Sequence, residues 1–136
     1  MANTNPIYSA APDIQWVGPV TTANTAYDGT GTVQTVFTAD ATNGGRIEKI
    51  RFRALGTNVA TVARIFINNG SSNATATNNT LYDELTLPAT TGSQTAQTAN
   101  QEILLNMSLP AGYKINVTVG TTVAAGYAVT VVGGKY

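Results

Sequence analysis

The sequence predicts an all-β chain, a single-domain antiparallel β-sandwich of jelly-roll type with about eight strands. Three observations carry that expectation. β-branched and aromatic residues recur in short runs. Gly, Pro, Asn and Asp separate those runs. No stretch sustains a helical period. A seven-stranded sandwich is the nearest alternative, because strand order is not legible from the runs alone. A chain of 136 residues is enough for one domain with one core.

The elements follow in order. Met1–Pro12 carries prolines at 6 and 12 and reads as an extended N-terminal arm, with residues 13–136 forming the sandwich. The expected strands are Ile14–Val20, Val33–Ala39, Arg46–Leu55, Thr61–Asn68, Leu81–Leu87, Glu102–Leu109, Tyr113–Val119 and Tyr127–Val132. Asp28-Gly-Thr-Gly31, Asn43-Gly-Gly45 and Asn68-Asn-Gly70 supply turn chemistry. Pro110-Ala-Gly112 reads as a tight turn between the sixth and seventh strands. Ser71–Thr80 and Ala89–Asn100 are long polar loops, suited to carrying contacts or lying across the sandwich.

Alternation assigns the faces. Ile103, Leu105, Met107 and Leu109 share one, as do Tyr113, Ile115, Val117 and Val119. Leu81, Leu85 and Leu87 align, with Asp83 intruding. Ile50 and Phe52 oppose Lys49, Arg51 and Arg53. The core is expected around Phe52, Leu105, Ile115 and Val117. Trp16 and most of the six Tyr are expected in core or edge packing. Leu104, Val132, and either Phe66 or the Ile65/Ile67 pair are apolar residues on the opposite faces. Two readings fit them: a covering loop, or an oligomer interface.

Composition narrows the function. There is no His and no Cys, and only seven acidic and seven basic residues. Those residue types carry most acid–base, nucleophilic and metal chemistry, so the expectation is a non-enzymatic shape or binding module without a cofactor. Asp83 and Glu84 are adjacent and point apart on a strand, so they do not make a glycosidase pair. Asp28 resembles a fragment of a calcium loop but lacks the further oxygen ligands, and a turn-stabilising role fits it better. A formal net charge of zero argues against non-specific attraction to nucleic acid or anionic membrane. A neutral surface with 10% charged residues disperses poorly, which favours assembly. Met1–Pro6 has no basic region or apolar stretch of a secretory signal, so the Asn-x-Ser/Thr triplets at Asn73, Asn78, Asn106 and Asn116 read as products of an Asn- and Thr-rich composition.

One charge pattern stands out. Lys49, Arg51 and Arg53 line one strand face at about 7 Å spacing. They read either as a ladder for an acidic partner or as a solvated face paired with Glu84 or Glu102.

Two stretches bear a resemblance: Val59-Ala-Thr-Val-Ala-Arg-Ile-Phe-Ile-Asn-Asn-Gly70, and Leu109-Pro-Ala-Gly-Tyr-Lys-Ile-Asn-Val-Thr-Val119 continuing through Ala125 to Tyr136. Together with the start Met-Ala-Asn-Thr-Asn-Pro they resemble small virion proteins of tailed bacteriophages, above all head decoration (cement) proteins. The resemblance implies a protein made in the bacterial cytoplasm and carried on the capsid surface. It also implies a homo-oligomer, with a trimer as the best guess, and the major capsid protein as partner. A receptor- or carbohydrate-binding module of a phage tail or fibre is the alternative. The residues expected to meet a partner are Asn3, Asn5, Pro6, Ile7 and Tyr8 of the arm, with Lys49, Arg51 and Arg53.

Overall fold

The structure is a computed structural model, and it describes residues 9–136. Eight strands form: β1 (Ala11–Val20), β2 (Gln34–Thr38), β3 (Gly45–Ala54), β4 (Thr61–Asn68), β5 (Asn79–Leu87), β6 (Asn100–Leu109), β7 (Lys114–Val119) and β8 (Tyr127–Lys135). All eight expected strands are present, with ends moved by a few residues. Ala11 and Pro12, read from the sequence as the end of the arm, belong to β1, where they pair with Lys135 and Gly134. Pro12 is tolerated there because β1 is an edge strand, which has an N–H side free of ladder bonds.

Two four-stranded antiparallel sheets stack. The front sheet has the order β1-β8-β3-β6 and the back sheet β2-β7-β4-β5. The first strand pairs with the last, the second with the second-last, the third with the sixth and the fourth with the fifth, all antiparallel. The chain is therefore one long hairpin, rolled so that successive strand pairs fall into opposite sheets.

Between the sheets the inward residues of both close one core. Phe37, Ile65, Ile115 and Val117 from the back meet Ile47, Ile50, Phe52, Leu105 and Val129 from the front, and Tyr127 is buried with them. Ile103, Met107 and Tyr113 pack at its margin, so the expected faces of β3, β6 and β7 are the observed ones.

The fifth strand departs from expectation. Asp83 pairs with Ile65, but Leu81, not Tyr82, pairs with Phe66. The extra residue is a β-bulge, and a bulge reverses the alternation beyond it. Leu85 and Leu87 face the core while Leu81 lies with Phe66 on the outside of the sheet. Phe66 is fully buried yet outside the core cluster. Of the alternatives left open by the sequence, Ile65 faces the core, with Ile67 packed at its edge, and Phe66 faces out under cover.

The loops supply the cover. Asn73 Nδ2 donates to the carbonyls of Gly29 and Gly31 at 3.1 and 2.8 Å. Asn79 Nδ2 donates to the Asp28 carbonyl at 3.2 Å. The polar loop after β4 is thereby clamped to the β1–β2 connection over the back sheet. The Asp28 carboxylate accepts from the Thr30 backbone and hydroxyl at 3.0 and 2.6 Å, the turn-stabilising role. Thr30 holds its carboxyl below the usual range.

Candidate functional site: the outer face of the front sheet

β1 has inverted polarity. Along it, Asp13 and Gln15 are half-buried while Ile14 and Trp16 are exposed, Trp16 at 74%. An edge strand over an apolar core normally turns its apolar set inward, since a one-residue slip exchanges the faces. The register here is held by Gln15. Its Nε2 donates to the Thr38 carbonyl at 2.9 Å, and its Oε1 accepts from the Thr38 N–H at 3.0 Å. The amide stands in for a neighbouring strand at the edge of β2, so Gln15 must face the back sheet and Trp16 must face away.

The ladder registers extend this face across four strands. One row runs Ile14, Val132, Lys49, Leu104; the next runs Trp16, Thr130, Arg51, Glu102. Leu104 is 71% exposed, about 14 Å from Ile14 by strand spacing. Apolar side chains thus stand at both margins with cations between them. Trp16 corrects the expectation of core or edge packing: the outer face of an edge strand leaves it in solvent.

The basic ladder falls in the middle of this face. Arg51 Nε lies 2.7 Å from Glu102 Oε2, and Lys49 Nζ lies 3.6 Å from the same oxygen. The Arg51 bond holds the Glu102 carboxyl below the usual range. Arg53 Nη1 donates to Asn100 Oδ1 at 3.0 Å. Glu102 is therefore the shared partner, as one of the two sequence readings had it. Glu84 pairs instead with Arg64 on the back sheet. One carboxylate between two cations, with a third cation on an amide, leaves this row positive.

Beyond Leu104 both neighbouring ladders shift register, between Ile47 and Lys49, and Asn106 takes a left-handed φ of 45° that Asn tolerates well. A shallow groove of about 310 Å³ opens there, lined by Ser9, Arg46, Glu48, Lys49, Leu104 and Asn106. The chain thus passes Ser9 beside the ladder. Asn3, Asn5, Pro6, Ile7 and Tyr8 lie outside the described residues.

The sequence did not single out Ile14 and Trp16. The available signal was Asp13 and Gln15 at the alternate positions, which becomes a face assignment only once Gln15 has a partner. Among the described residues, no group of three or more acidic side chains is placed to hold a metal ion. Three of the Asn-x-Ser/Thr asparagines are built into the fold: Asn73 clamps the loop, Asn78 Nδ2 donates to the Ser72 carbonyl at 2.9 Å, and Asn116 is buried and accepts from Thr35 Oγ1 at 2.8 Å. No known protein family, curated protein or solved structure matches the chain.

Proposed function

We infer that the chain is a non-enzymatic structural protein of a bacteriophage virion, a head decoration protein whose front sheet docks on the assembled capsid. The single observation that carries this reading is the inverted polarity of β1, which commits a tryptophan and an isoleucine to solvent beside a basic row. Exposed aromatic and Arg residues are the usual anchors of a protein interface. A flat face of this kind fits a protein surface better than a small molecule. The nested strand pairing supports the jelly-roll reading, an architecture shared by viral capsid and lectin domains.

The mechanism is mechanical. The basic row orients the module over carboxylates of capsid subunits, and Trp16, Ile14 and Leu104 bury their surface across them. A protein that binds only the assembled shell stabilises that shell by mass action, by about 2.7 kcal/mol at a free concentration one hundred times Kd. The chain acts as a homo-oligomer, with a trimer as the expected form. The apolar residues Leu55 and Val59, exposed in the β3–β4 connection away from the front face, suit contacts between copies. Cryo-EM of the source particle tests the reading: it predicts sandwich density on the head, with the Trp16 face against the shell. Density at the tail tip instead would favour the receptor-binding alternative.

A further inference from the structure

The outer side of the back sheet carries a second surface of different chemistry. Arg64 projects outward from β4 yet is buried. Its Nε donates to Glu84 Oε1 at 2.9 Å and its Nη1 donates to the Asn24 carbonyl at 3.3 Å. The guanidinium carbon sits 4.1 Å from the centre of the Tyr27 ring. A cation–π contact of this kind fixes the plane of the ring. Tyr27 is nonetheless 63% exposed, so the guanidinium backs one face and the other is open. The loop that carries it is braced: Asn24 Nδ2 donates to the carbonyls of Thr30 and Thr32 at 2.9 and 2.8 Å. Glu84 bonds Arg64 through Oε1, and among the described residues no side-chain donor meets its Oε2.

We propose that Tyr27 and Glu84, joined through Arg64, form a binding platform for a neutral oligosaccharide. A pyranose ring has an apolar face of C–H groups and a rim of hydroxyls. The C–H face, with its partial positive charge, complements the negative face of a tyrosine ring held flat. The hydroxyls can donate to the Glu84 Oε2 that Arg64 leaves open, a charge-assisted bond stronger than a neutral one. An anionic glycan or a nucleic acid would instead meet the Glu84 carboxylate, and the Arg64 beside it is already buried and paired. Prior fixing of the ring lowers the ordering cost of binding. This surface lies on the opposite sheet from the capsid-docking face, so it stands or falls independently of that reading.

The test uses the full chain, probed with an array of neutral and sialylated oligosaccharides and titrated calorimetrically with the best neutral glycan found. Binding of at least one neutral glycan is expected. Tyr27→Ala should weaken it by about tenfold or more, and Tyr27→Phe, which keeps the ring, should stay within about threefold of wild type. Thermal melting of both variants checks that they remain folded. Three results would overturn the proposal: a blank response to the neutral panel, equal binding by Tyr27→Ala, or a preference for the sialylated glycans.

Discussion

The side-chain amide of Gln15 hydrogen-bonds both backbone groups of Thr38, closing the edge between the two sheets and turning Trp16 out to solvent. The pair links an interior feature to the outer face. Gln15→Ala removes both bonds and should cost about 1 kcal/mol, measured by urea denaturation. Gln15→Glu keeps the acceptor for the Thr38 N–H but sets a carboxylate against the Thr38 carbonyl, and should cost at least as much at neutral pH. Full stability in both variants would remove Gln15 as the register lock.

Leu105 tests the core. It is buried in β6 among the inward residues of the front sheet. Leu105→Ala should destabilise by about 2–5 kcal/mol, whereas Leu104→Ala, one residue away on the outer face, should stay within about 0.5 kcal/mol. Similar losses at both positions would mean that β6 has no distinct inner face.

Most of the fold was legible because strand length, turn chemistry and alternation are local properties. The eight runs, the tight turn at Pro110 and the inner faces of β3, β6 and β7 all follow from them. Leu81 was misassigned because the bulge at Tyr82 depends on the pairing with β4, which no local pattern encodes. Phe66 and Trp16 show the same limit from opposite sides. Both are aromatic residues on outer faces, and only the tertiary arrangement puts loops over one and leaves the other bare. The ladder of Lys49, Arg51 and Arg53 was readable as a row; the apolar residues around it come from β1, β8 and β6, distant in sequence and joined only by the sheet order.

Stability should fall at both ends of the pH range, for different reasons. Asp28, Asp40 and Glu102 have carboxyls held below their ordinary values, by the Thr30 hydrogen bonds, by the Asn43 and Thr42 amides, and by Arg51, respectively. Their stabilisation is complete above the ordinary carboxylate range and is withdrawn as pH falls through their lowered values. Burial raises the Tyr127 hydroxyl above its ordinary value of 10.0. That neutral hydroxyl favours the fold below the ordinary value, and the contribution is lost as pH rises through the raised one. Among the described residues the Tyr127 hydroxyl has no hydrogen-bond partner, so Tyr127→Phe should leave neutral-pH stability unchanged or raise it by about 1 kcal/mol, and should weaken the alkaline transition. A loss of more than about 1 kcal/mol would mean that the hydroxyl is satisfied in solution.

Self-association is the expected outcome for a neutral surface that exposes Leu55 and Val59. Multi-angle light scattering should give a mass above the 14.1 kDa of one chain, with a trimer expected. Leu55→Asp combined with Val59→Asp should shift the population towards monomer. A monomer at all concentrations in the wild type would contradict it.

The proposed docking of the front sheet on a phage head is tested most directly by co-sedimentation with undecorated heads. Wild type and Tyr27→Ala should pellet with the heads equally well, with Trp16 fluorescence shifting to the blue as its ring leaves water. Trp16→Ala, folded as judged by melting, should bind at least about tenfold more weakly. Wild-type protein that stays in the supernatant, or Trp16→Ala that pellets as well as wild type, would contradict the account.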